Sequence, residues 1–234
     1  MLGAIIGGIG AAIGAIGTAI STAVATVGPA VAAFATKVAA KLPAILETAK
    51  SVVSVISGVV STVASVKGII EQDERVNEIG AKMMQDGTRA KMPEESTEDY
   101  LNYLRNEVKL DNEKYAAMTE SEKLACEVVG TSVVAKVMEE KSGVELTPDF
   151  VMAISKANLD AKTVEKLIDS FERNKIASTE KVTEYLSNEL DESEVGKVGG
   201  AIKEAISEAN PEMSAEDIQK EISDMKKNYN SSEY

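Results

Sequence analysis

Gly3, Gly7, Gly10, Gly14 and Gly17 are spaced 4, 3, 4, 3, and Ile6, Ile9, Ile13, Ile16 and Ile20 follow the complementary beat of 3, 4, 3, 4. Such spacing places each set on its own stripe of an α-helix; a half-buried strand would need a period of two. Each glycine costs a helix in water about 1 kcal/mol against alanine. Two environments can offset that cost. In lipid an unpaired backbone group is so unfavourable that Gly-rich segments stay helical. At a helix–helix contact, a stripe of glycines lets two backbones approach closely. The glycines therefore read as a helix-packing seam, and the isoleucines as a face for membrane or core.

Gly28-Pro29 ends this helix, because proline cannot continue the hydrogen-bond ladder of a preceding helix. A helix over residues 2–27 would be about 39 Å long at 1.5 Å per residue, longer than the roughly 30 Å hydrocarbon core of a bilayer. A short helix over 30–41 follows, with Lys37 and Lys41 on one face and Val31, Phe34, Ala35 and Val38 on another, the pattern of an interfacial basic segment. Pro43 opens a third helix, expected over 44–70. It repeats the first design: Ser54, Gly58, Ser61, Ser65 and Gly68 form a second small-residue stripe. Two matching stripes predict an antiparallel helical hairpin, or seams that meet their equivalents in another subunit.

Charge divides the chain. Four lysines against one glutamate leave residues 1–70 at +3, while the remaining 21 basic and 37 acidic residues leave 71–234 at −16. An apolar head joined to an acidic body suggests two tasks in one chain. The body's sign argues against nucleic acid as a partner, since phosphates would be repelled. Residues 71–92 read as a continuation of the third helix, stopping at Asp86-Gly87, then a linker around Pro93. Residues 93–234 read as an acidic bundle of short amphipathic helices. Their starts carry cap signals: Thr97, the capping box Thr119–Glu122, Thr147-Pro148, Ser178 and the box Ser214–Asp217. The fold class expected is all-α.

A weak repeat at an offset of 31 maps Thr147, Val151, Ile154, Leu159, Asp160, Val164 and Lys166 onto Ser178, Val182, Tyr185, Leu190, Asp191, Val195 and Lys197. It reads either as two helix–turn–helix units or as a coincidence of short amphipathic helices. Two units are too few for a solenoid.

The chain has no histidine and no tryptophan, and Cys126 is its one cysteine. Histidine triads, histidine metal sites and zinc–thiolate clusters are thereby excluded. Cys126 lies in an apolar run and reads as a buried structural thiol. The Leu-Asp segments beginning at Leu159 and Leu190 lack calcium-loop ligands, and "GKVGGAIKE" follows no strand, so it reads as a close helix contact. No enzyme activity, cofactor, metal or small-molecule substrate is expected.

Residues 1–70 resemble the Gly/Ala/Ile-rich apolar segments of phage tape-measure and ejected internal proteins, viral penetration proteins and the hydrophobic hairpins of helical pore-forming toxins. The resemblance implies a protein carried in a virion or tail particle, or secreted, and delivered to a lipid bilayer. The competing expectation is a structural assembly protein whose heads pack into a soluble homo-oligomeric core. A third reading, a removable signal ending at Ala23-Val24-Ala25, lacks a preceding basic residue.

Overall fold

The computed structural model describes residues 14, 16–18, 20, 28–85 and 95–231, and the fold is all-α. Its helices are α1 (Pro29–Ala40), α2 (Leu46–Val66), α3 (Val76–Gln85), α4 (Thr97–Asn106), α5 (Asn112–Ala117), α6 (Glu120–Ser142), α7 (Pro148–Lys156), α8 (Ala161–Arg173), α9 (Glu180–Ser187), α10 (Glu192–Ala209) and α11 (Ala215–Ser231). The chain forms two compact units, one to Val137 and one from Met138, so the division falls inside α6. The boundaries expected at residues 70 and 92 both lie within the span of the first unit.

In the first unit, α1 has the amphipathic design read from its sequence. Val31, Phe34, Ala35 and Val38 are buried, and Lys37 and Lys41 are exposed. Pro29 at its first turn needs no hydrogen-bond partner for its nitrogen. The third helix does not run to Asp86. It ends at Val66, where Gly68 adopts a left-handed φ of 66° and the Ile69 N–H donates back to the Ala64 carbonyl at 2.8 Å. Glycine enters that region without the penalty of a Cβ, which makes it a helix stop. Ile69 and Ile70 are then buried beyond the turn. The helix also starts later than Pro43, with Ile45 as its N-cap. Arg105 fastens the connector: its guanidinium donates to Glu74 at 2.7 Å and to the Ile69 carbonyl at 2.9 Å.

Helices α3 and α6 cross with their backbones in contact. A Cβ on Gly80 would lie 1.8 Å from the Cys126 carbonyl oxygen, and one on Gly130 would lie 1.7 Å from that of Val76. Val76 therefore faces Gly130 while Gly80 faces Cys126, so the two helices run antiparallel through the crossing. No side chain fits there, and relief would require moving a helix axis.

In the second unit the offset of 31 holds for the caps Asp160 and Asp191, while the left-handed asparagines stand 30 residues apart and the N-caps Thr147 and Thr179 stand 32 apart. α7 and α8 are joined through Asn158 (φ 55°) and capped at Asp160; α9 and α10 are joined through Asn188 (φ 61°) and capped at Asp191. The two unit starts are tied together. The Thr179 N–H and hydroxyl both donate to the Glu145 carbonyl, at 2.9 and 3.0 Å, and the Thr147 N–H donates to Thr179 Oγ1 at 3.0 Å. This occupation of its hydroxyl explains why Thr179, the N-cap of α9, makes no side-chain cap bond; Ser178 Oγ accepts from the Glu180 N–H instead. Both capping boxes form: Thr119 with Glu122 and Ser214 with Asp217 exchange reciprocal bonds. Ser96 rather than Thr97 caps α4.

Between α8 and α10, Ser170 is buried, with its hydroxyl oxygen 2.8 Å from a Glu204 carboxylate oxygen. Asn174 and Arg173 also donate to Glu204, at 2.9 and 3.1 Å. These bonds, led by that of Ser170, hold the Glu204 carboxyl below its ordinary value of 4.5.

Two predictions follow from these contacts. Gly80→Ala and Gly130→Ala should each destabilise the first unit by about 3 kcal/mol, the upper part of the usual overpacking range, measured by urea unfolding. Glu204→Gln should lower the Tm at pH 7. A depressed carboxylate stabilises the folded state above its unfolded pKa, and that stabilisation disappears as pH falls through the folded one. The Tm difference from wild type should therefore shrink as pH is taken below 4.5.

Candidate functional site

Helix α2 has two faces of different character. Val52, Val53, Ile56, Val60 and Val63 are buried, while Ser51, Ser54, Val55, Gly58, Thr62 and Val66 are exposed. Residues 51–66 carry no charge. A surface helix of a soluble protein ordinarily presents charged residues to water; here more than four turns present serine, threonine, glycine and valine. Val55 is 43% exposed and Val66 63%, and Ile45, the N-cap, is 58% exposed. Helix α2 is the one described helix long and apolar enough to cross a membrane by length and composition.

The outward face contains the small-residue stripe expected from the sequence. Ser54, Gly58 and Gly68 are exposed and Ser61 and Ser65 half-buried. A Cβ at Gly58 would meet nothing within 4 Å, and the same holds at Gly14, Gly17 and Gly68. No described residue therefore fills the space beside Gly58 or Gly68. Gly68 has left the helix and serves as its stop. Of the isoleucine face, Ile16 is 1% exposed and Ile20 fully buried. Gly3, Gly7, Gly10, Ile6, Ile9 and Ile13 lie outside the described residues, and with them most of the expected first helix of the hairpin.

Among the described residues, two hollows border α2. The larger, about 440 Å³, is lined by Glu47, Lys50, Ser51 and Ser54 of α2 together with Asn77, Tyr115, Glu120, Lys123, Leu124 and Glu127. Its charges are mutually satisfied. Lys50 donates to Glu120 at 2.9 Å and lies 3.6 Å from Glu47; Lys123 lies 3.6 Å from Glu120; the Ser57 hydroxyl bonds to Glu127. The hydrogen bond to Glu120 raises the pKa of Lys50, and the same bond lowers that of Glu120. The Tyr115 hydroxyl accepts from Asn77 at 2.8 Å, and burial raises its pKa. The cleft is thus a polar clasp of the N-terminal half of α2 on α6. The smaller hollow, about 280 Å³, lies beside Ser61, Thr62, Ser65 and Val66 and continues to Ile70, Glu71 and Glu74.

Sequence reasoning passed over the glycines that are packed. Gly80 and Gly130 carry no periodic stripe; each is an isolated glycine inside a helix, which is itself a signal of a packing role. In "GKVGGAIKE" the expected close contact exists at Gly199 alone, where a Cβ would lie 3.1 Å from the Tyr185 ring; Gly196 and Gly200 face open space.

Comparison with protein-family models, with curated proteins and with solved structures gives no match for the chain.

Gly58→Ala should raise the stability of the isolated protein by about 1 kcal/mol, since the position is helical, exposed and unencumbered. Thermal melting checks this, and the opposite sign is expected at Gly80.

Proposed function

We propose that this protein penetrates membranes as a helical component of a phage or contractile-injection particle, delivered to a target bilayer. The reading rests on the uncharged outward face of α2, which costs solubility in water and suits lipid. Valines on that face would meet acyl chains, and the serines and Gly58 would let a second helix approach. Lys50 and Lys67 stand at the two ends of the uncharged stretch, where their long stems can carry the ammonium groups to the interface. Lys37 and Lys41, exposed on α1, are placed to attract anionic headgroups. Insertion requires α2 to leave the core contacts of Val52, Ile56 and Val63, so the described arrangement is read as the form held before delivery.

A second reading is favoured by a specific observation: Ile16 and Ile20 are already enclosed by protein. An apolar head that buries its isoleucines in a core suits a structural assembly protein whose heads pack together as a soluble homo-oligomer.

Charged substitutions on the outward face discriminate the two. Gly58→Lys with Thr62→Lys leaves the buried face of α2 untouched and removes a helical glycine, so circular dichroism should stay near wild type and the Tm should not fall. Lysine at the centre of a spanning helix costs about 2.5–3.5 kcal/mol. The wild-type protein should float with anionic liposomes and release an entrapped dye, and the double variant should do neither. Wild-type protein that fails to float at any pH, or a variant that floats equally well, overturns the membrane reading. A wild-type oligomer dispersed to monomers by the same substitutions, without liposome binding in either protein, would establish the assembly reading.

A further inference from the structure

The first unit contains a cluster of three sulfur atoms. Cys126 Sγ lies 3.5 Å from Met84 Sδ and 3.7 Å from Met118 Sδ. The residues come from three elements: Met84 from α3, Met118 from the C-cap of α5, and Cys126 from α6. The α3–α6 crossing creates the meeting. Gly80 packs on the Cys126 backbone and Met84 lies one turn beyond Gly80, so the crossing brings the long Met84 side chain within reach of the Cys126 thiol. Cys126 is fully buried, whereas both methionines are half-buried and connect the cluster to the surface.

We propose that Cys126, Met84 and Met118 form a binding site for a soft monovalent cation, of which copper(I) is the representative. Among the described residues no three of His, Cys, Asp and Glu gather as metal ligands, so the site exists only through its thioethers. Thioethers and thiolates are ligands for soft ions and poor ones for magnesium or calcium. Charge selects further. Binding exchanges the thiol proton for the metal: the S–H bond breaks, one proton leaves to solvent, and the thiolate and two neutral thioethers donate lone pairs. A monovalent ion leaves the group neutral, whereas a divalent ion would leave an uncompensated charge in a buried place, which is strongly disfavoured. Three sulfurs around an ion at about 2.3 Å stand about 4.0 Å apart, and the Cys126–Met84 and Cys126–Met118 separations of 3.5 and 3.7 Å are close to that spacing. Methionine, unbranched with three rotatable bonds, adapts readily.

Burial pushes the Cys126 thiol up to about 12. The free protein therefore holds the proton throughout neutral pH.

The test is anaerobic titration of the full-length protein with copper(I) against a chromogenic chelator, with near-ultraviolet sulfur-to-copper absorption as a second readout. The expected result is one equivalent bound, abolished in Cys126→Ser and weakened at least about tenfold in Met84→Leu and in Met118→Leu, a loss no smaller than that usual for outer-shell partners. Methionine to leucine nearly conserves volume, and a wild-type Tm establishes that each variant is folded. Zinc(II) should not compete. Failure of the wild type to take copper from the chelator overturns the site. So does equal binding by the Met84→Leu/Met118→Leu double variant, which would reduce the binding to an isolated thiol.

Discussion

The crossing of α3 and α6 at Gly80 and Gly130 fixes the first unit more firmly than any polar contact in it. At that point each helix takes the space a side chain would need, and backbone is what a new methyl group would strike. Overpacking against backbone cannot be relieved by a rotamer change, unlike the contact of Gly199 with the Tyr185 ring. The crossing sets which residues stand one turn away on each helix. It thereby brings Met84 to Cys126, and places Asn77 of α3 and Leu124 and Glu127 of α6 along the same cleft wall. The polar clasp of Lys50, Ser57, Glu120 and Glu127 then fastens α2 to a helix already positioned.

Helix α2 sits within these constraints with its two faces under opposite demands. The valine and isoleucine face obeys ordinary core packing, and burying each such side chain contributes about 1.5–3 kcal/mol. The outward face has no packing role in the described chain. Arg105, Glu74 and Gly68 act at the C-terminal end of α2, where they hold the connector and stop the helix before the charged segment 71–75. The uncharged helix is thus delimited by a turn, not extended into the acidic body.

Much of this was legible in the sequence where the cause is local. The all-α class, the faces of α1, and the capping boxes at Thr119 and Ser214 follow from spacing and from side chains that reach the nearest backbone amides. The missed features depend on partners distant in the chain. Gly68 has the same spacing as Gly58, yet one is a left-handed stop and the other a helical residue in open space; periodicity alone does not distinguish a stripe from a cap. The turns at Leu159-Asp160 and Leu190-Asp191 were visible as an offset of 31, but the left-handed Asn158 and Asn188 beside them and the tie between Thr179 and Glu145 were not. Residues 84, 118 and 126 have no motif spacing, because their proximity is a product of the crossing.

The described glycines inside helices include two contrasting kinds. Gly80 and Gly130 repay their cost to helix stability within the chain, since no other residue fits the crossing. Gly58, Gly196 and Gly200 do not: each lies in a helix, meets nothing within 4 Å, and forgoes about 1 kcal/mol relative to alanine. Among the described residues, none gains packing from the missing Cβ at those three positions. At Gly58 the neighbouring surface is also charge-free and bears exposed valines, a combination that water does not reward. A bilayer or a second helix would reward it, and the requirement is the same in both: a backbone near enough for the absent Cβ to matter. At Gly196 and Gly200 the helix carries Glu192, Lys197 and Lys203 on exposed positions, so the same argument stops at the glycines and does not extend to lipid.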